Sequence, residues 1–180
     1  MERLLMNHDD YPDSYIREIL NSVKTIAMVG ASPKKVRPSY FVQKYLIGKG
    51  YEIFPVNPGH AGREILGRTV YGTLEDIPVS IDMVDIFRNS HAAGPISDEA
   101  IAIGANIVWM QLSVRNDEAA GRAEDAGLKV VMNRCPKIEY GRLSGEIGWA
   151  GVNTRTVSAT RPKMSSKGFQ HLGLRDETLE

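Results

Sequence analysis

Five short apolar runs, each ended by a residue that turns the chain, set the frame for this sequence. Thr25-Ile26-Ala27-Met28-Val29-Gly30 is too short for a helix, shows no polar alternation and stops at a glycine. It predicts a strand buried on both faces, as in a parallel sheet. Tyr51–Val56, stopped by Asn57-Pro58-Gly59, predicts a second strand, and 81–87, 106–110 and 129–132 predict three more. Helical spacing fills the intervals. Pro38–Gly48 carries Phe41, Val42, Tyr45 and Leu46 on one stripe, 92–103 follows the third run, and Asn116 opens a helix ended by Gly127. A further amphipathic helix, 14–22, precedes the first strand, with Asp13 or Ser14 placed to cap it. Strands alternating with helices imply right-handed crossovers and a parallel sheet covered on both faces. The reading is one doubly wound α/β domain of about five strands across 14–143.

Two segments depart from the alternation. Residues 62–72 have no helical stripe and predict an excursion over the sheet, with a short helix open around Leu74–Ile77. After Leu143 the chain turns to Gly, Ser, Thr and Lys, so 144–180 reads as a partly ordered C-terminal extension, either a tail or a docking segment.

In an open α/β sheet ligands bind beyond the carboxyl ends of the strands. At the first such exit a dinucleotide fold carries G-x-G-x-x-G, and an acidic residue ends its second strand. This chain has Gly30 alone, followed by Ala31, Ser32, Pro33, Lys34, Lys35, Val36, Arg37, Pro38 and Ser39, and its second strand ends Val56-Asn57-Pro58. Ordinary NAD binding is disfavoured on both counts. What remains suits phosphate: a glycine that admits close approach, two hydroxyls, three cations and the start of a helix. The 22 cations and 22 acids of the chain cancel, which excludes a generally basic nucleic-acid binder. Their positions do not cancel, because Ile19 to Tyr51 holds six Lys or Arg and no acid. A solvated basic loop is the plainer alternative for that stretch.

The stretches IAMVGASPKKVRPSYFVQKYL, GYEIFPVNPGHAGREILGRTVYGTLEDIP, DMVDIFRNS, AIAIGANIVWMQLSVRNDEAA and AGLKVVMNRCPKIEY together resemble the small stand-alone CoA-binding proteins. That family is itself similar to the nucleotide-binding domain of the succinyl-CoA synthetase α subunit. The resemblance spans roughly Val23 to Leu143 and implies a Rossmann-like domain that binds coenzyme A or an acyl-CoA. It puts the phosphates near the first turn and the adenine side near the second strand and its exit. Carried over, Gly30, Ala31 and Ser32 match the first turn, while Arg37, Pro38 and Ser39 match its basic residue and helix start. Val56, Asn57 and Pro58 match the second exit, Phe87 and Arg88 the third, and Gln111 the fourth. Lys34 and Lys35 fall in a variable part of the loop. Asn133 stands where an acidic residue often precedes Arg134.

Several residues keep two readings. Phe87 is core or cleft, and Gln111 binds a ligand or ties a turn. Cys135, the single cysteine, lies near a bound thiol or is a buried small hydrophobe. His60 and His91 read as surface residues. No triad, paired acid/base set or metal spacing is visible, and fewer than 40 residues follow Leu143, too few for a complete acid–CoA ligase. The expectation is therefore a non-catalytic CoA-binding protein rather than an enzyme. The alternatives are a small NADP-dependent oxidoreductase and an accessory subunit of a CoA-dependent enzyme. A CoA-type small molecule is the expected partner, with a homo-oligomer or a CoA-dependent enzyme as further partners and no role for nucleic acid or membrane. The acidic N-terminus and the lack of a long apolar run point to the cytoplasm.

Overall fold

The computed structural model describes residues 6–146. The extension expected over 144–180 therefore lies, beyond Glu146, outside the described residues. Helix α1 (Asp13–Ser22) leads into β1 (Thr25–Val29), α2 (Pro38–Gly48) and β2 (Glu52–Val56). After an excursion come β3 (Glu64–Ile65), β4 (Arg68–Thr69), β5 (Met83–Ile86), α3 (Ser90–Ala102), β6 (Ile107–Met110), α4 (Asp117–Asp125), β7 (Lys129–Val131) and α5 (Pro136–Ser144). Five strands form one parallel sheet in the order β2-β1-β5-β6-β7. This confirms the expected α/β, Rossmann-like class. The chain lays β2 on one side of β1 and then builds β5, β6 and β7 on the other. The direction reverses between β1 and β5, the switch point where such sheets open a crevice.

The strands are buried on both faces because their alternate residues feed two separate cores. Ile26, Met28, Met83, Ile107, Trp109 and Val131 face one layer, with Ile16, Ile19 and Leu20 of α1, Val42 and Leu46 of α2, and Tyr140 and Leu143 of α5. Ala27, Val84, Ile86, Val108, Met110 and Val130 face the other, against Ala93, Ile96 and Ala100 of α3 and Ala119, Ala120 and Ala123 of α4. Small alanines on α3 and α4 let those helices lie close to the sheet and to each other.

Local chemistry explains most element ends. Asn89 and Asn116 cap α3 and α4 by accepting the N–H groups of Ala92 and Ala119. In α1 the cap position is held by Pro12, with no side-chain cap, and Asp13 sits in the first turn, where its charge suits the helix dipole. Residues 62–72 hold a two-stranded antiparallel hairpin whose turn residues, Leu66 and Gly67, both have positive φ. Around Leu74–Ile77 there is no helix but a turn, in which Asp76 accepts the Thr73 N–H and hydroxyl. Helix α5 was not foreseen. Pro136 starts it, and Gly145 ends it in the left-handed region, but Ile138, Tyr140 and Leu143 give only a faint stripe over nine residues.

Strand β7 is an edge, and two tyrosines close it. The Tyr15 hydroxyl donates to the Val130 carbonyl at 3.2 Å, and the Met132 N–H donates to the Tyr11 hydroxyl at 2.8 Å. Their rings stack at 5.9 Å, with Arg134 over the Tyr11 face. Asp9, on the same segment, pairs with Arg115.

Candidate functional site

At the switch point Gly30 has φ +90°, and a Cβ built on it would lie 2.5 Å from the Phe87 carbonyl oxygen. Only glycine meets both demands. The exits of β1 and β5 therefore touch, and a cavity of about 610 Å³ opens above them. Its walls come from the β1–α2 turn (Gly30, Ser32, Lys34, Arg37, Pro38, Ser39 and Val42), from Phe87 and Arg88, from Gln111, Leu112 and Val114, and from His60 and Cys135. All five exits of the parallel sheet plus the start of α2 thus converge on one space.

The β1–α2 turn is held by its own hydroxyls. The Ser32 N–H donates to the buried Ser39 hydroxyl at 3.2 Å, and the Lys34 N–H to the Ser32 hydroxyl at 3.3 Å. Arg37 occupies the N-cap of α2 without a side-chain cap bond, and Pro38 follows at the first helical position. The positive end of that helix is left facing the cavity. Several cations elsewhere are matched: Arg115 with Asp9 and Asp117, Arg122 with Asp98, Lys129 with Glu18, Arg142 with Asp13 and Glu139. Among the described residues Lys34, Arg37 and Arg88 have no such carboxylate. Three cations thus line one cavity, and no acid is among its lining residues.

The opposite end is uncharged at its surface. Gln111 donates from Nε2 to Oδ1 of Asp85 at 2.7 Å, and its backbone carbonyl accepts the Val114 N–H. It therefore ties a turn and lines the cavity at once. Phe87 likewise does both, half-buried against the core and exposed to the cavity. Cys135 is buried yet reaches the wall, and burial raises its pKa, only partly opposed by the N–H groups of Ile138 and Lys137, so it stays a neutral thiol.

Of the residues singled out in the sequence, Gly30, Ser32, Lys34, Arg37, Ser39, Phe87, Arg88 and Gln111 line the cavity. Ala31 and Val56 are buried beneath it, Lys35 and Pro58 are exposed, and Asn57 acts as a brace, donating from Nδ2 to the Ala31 carbonyl at 2.8 Å. His60 is a cavity residue, not the surface residue its lone position suggested. The turn Pro58–His60, capped by Asn57 on the Gly59 N–H, carries it there. Asn133 needs no acid in its place: its φ of +53° suits asparagine, and its side chain accepts the Ser113 N–H at 2.8 Å. The described residues hold no group of three His, Cys, Asp or Glu able to take a metal, and no helix long and apolar enough to cross a membrane.

Known proteins were compared with this chain. The uncharacterised protein YneT of Bacillus subtilis is 36% identical over 125 residues, which cover 69% of this chain and 91% of YneT. The α subunit of acetate–CoA ligase (ADP-forming) I of Pyrococcus furiosus is 35% identical over 95 residues, covering 51% of this chain but 21% of that subunit. Among solved structures, a hypothetical protein from Pyrococcus horikoshii OT3 superposes with a TM-score of 0.72 at 43% identity, covering 79% of this chain and 99% of that one. A model of the CoA binding domain matches residues 24–141, the span that contains the sheet and every wall of the cavity. The chain belongs to the CoA-binding domain family.

Proposed function

We propose that this protein binds coenzyme A or an acyl-CoA as a small non-catalytic binding protein, with the phosphates held at the β1–α2 turn. The observation that carries the reading is the trio Lys34, Arg37 and Arg88, unmatched by acids among the described residues and gathered at the switch point. Coenzyme A brings a pyrophosphate and a 3′-phosphate, roughly four negative charges near neutral pH. Arg37 suits bidentate contact with phosphate, whereas Lys34 acts as a point charge. The Ser39 hydroxyl, already accepting from Ser32, keeps its own proton to donate. Asn57 and Pro58 follow β2, on the side that the resemblance gives to ribose and base, though neither lines the cavity.

The family supports this ligand over NADP, as does the single glycine of the first turn. The ligase subunit shares only a fifth of its length with this chain, so its activity is not carried over. A thermal-shift panel with CoA, acetyl-CoA, dephospho-CoA, NAD and NADP tests the reading. Ligand at 100 times its Kd stabilises the fold by ~2.7 kcal/mol. CoA forms are expected to shift the melt; silence from all of them beside a clear NADP shift overturns the assignment.

A further inference from the structure

Asp85 is fully buried in the middle of the sheet, between Met28 of β1 and Trp109 of β6 in register. Its Oδ1 accepts from Gln111, and its Oδ2 has no hydrogen-bond partner among the described residues. A carboxyl in that state costs several kcal/mol to keep ionised, and natural sequences rarely keep one in a core without a use. Among the described residues Gln111 alone hydrogen-bonds its side chain, and Gln111 lines the cavity.

The pair has a chemical logic. An ionised carboxylate only accepts, so it must receive the Gln111 amide through Nε2, which leaves Gln111 Oε1 toward the cavity. A protonated carboxyl has an O–H to place, and the amide oxygen of Gln111 is the acceptor within reach. The amide then turns over and offers N–H to the cavity instead. Gln111 thus presents an acceptor or a donor according to one proton on Asp85.

We propose that Asp85 is a positioning residue that makes recognition of the ligand's uncharged arm proton-dependent, by turning Gln111 Oε1 toward an amide N–H of that arm. This rests on the CoA reading above. The exit of β6 lies two strands, about 10 Å, from that of β1. Gln111, Leu112, Val114 and Cys135 form an uncharged wall at that end, suited to the amide-bearing pantetheine arm of a molecule whose phosphates sit at Lys34 and Arg37.

The surroundings leave Asp85 in control of its own proton. Burial raises its pKa to about 7, and only the Gln111 bond opposes the rise. The elements over this face bring Asp13, Tyr15, Arg17 and Glu18 on α1, Tyr40, Lys44 and Tyr45 on α2, and Lys137, Glu139, Tyr140 and Arg142 on α5, and Arg88 follows at the β5 exit; none enters the causes of that rise. Cys135 does feel the Asp85 charge, which adds to the effect of burial on its thiol.

The test compares CoA with the β-methyl ester of adenosine 3′-phosphate 5′-diphosphate, which has the same ionisable phosphates but no arm, by calorimetry at pH 6 and pH 8. The ratio of the two Kd values cancels the titration of the shared phosphates. In the wild-type chain the advantage of CoA is expected to grow about fivefold from pH 6 to pH 8, the worth of one neutral hydrogen bond. In Asp85→Asn the ratio is expected to be flat, because the Asn amide cannot titrate. A flat ratio in the wild-type chain, or the wild-type slope retained in Asp85→Asn, overturns the proposal. So does an equal loss of both ligands in the variant with the slope intact, the mark of a merely structural residue. The wild-type profile decides the matter if the variant does not fold. Failure of both ligands to bind the wild-type chain sinks the CoA reading itself, whereas headgroup binding with a flat CoA ratio sinks only this one.

Discussion

The backbone of Gly30 presses against the carbonyl of Phe87, leaving 2.5 Å where a Cβ would have to fit. That contact joins the first and third strands of the fold at the point where strand order reverses. Gly30→Ala is expected to cost roughly 2–4 kcal/mol, from left-handed backbone strain and a clash that only a shift of the β5 exit relieves. Urea unfolding reads the loss as a lower midpoint, and an unchanged midpoint would show that the two exits move apart freely.

Arg37 sits at the N-cap position of α2, and its side chain meets no acid among the described residues. Arg37→Ala is expected to weaken CoA binding about tenfold or more, ~1.5–3 kcal/mol, since it removes charge-assisted bonds to phosphate. The same change should flatten the dependence of Kd on salt concentration. Calorimetry across a salt series checks both, and equal curves for the variant and its parent would remove Arg37 from the phosphate site.

Tyr15 and Tyr11 occupy the free edge of β7, so losing their hydroxyls exposes an unpaired carbonyl or N–H. Tyr15→Phe is expected to lower stability by about 1 kcal/mol, and the double change with Tyr11→Phe to promote self-association through the bare edge. Denaturant melts and light scattering at rising concentration measure the two effects. A double variant that stays as stable and as dispersed as the parent would show that water closes the edge equally well.

Asp85 gives stability a pH dependence of definite sign. Burial raises its pKa to about 7, well above the ordinary aspartate value of 3.8. Between those values the folded state binds the extra proton, so stability falls as pH rises from about 4 to about 7 and levels off above. The full effect is several kcal/mol, about 4 at the upper limit. Asp85→Asn should therefore gain on the parent between pH 5 and pH 8. Parallel stability profiles would place the carboxyl in water or against an unseen partner.

Much of the anion end of the cavity was legible in the sequence because its signals are local. A glycine after an apolar run, hydroxyls and cations in the next few residues, and a proline opening a helix all act within one turn. The other end was less legible. His60 stands outside any periodic pattern and reaches the cavity only because Asn57 folds the turn behind it. Asp85 interrupts Met83-Val84-Asp85-Ile86, and a charge inside a run read as buried on both faces was the one available sign of it. Asn57 also braces the turn, bonding the Ala31 carbonyl and the Gly59 N–H, a role its sequence position did not show.

By itself the sequence determined the five strands of the sheet, four of its helices and their two-faced burial, since apolar period and chain-breaking residues act over a few positions. It also placed a local positive pole inside a chain of zero net charge. Only the tertiary structure decided which strands are neighbours. The order β2-β1-β5-β6-β7 sets the exits of β5 and β6 beside that of β1, and so brings Arg88 and Gln111 to the same cavity as Lys34 and Arg37. Strand order depends on pairing between segments dozens of residues apart, and no period within any one of them encodes it.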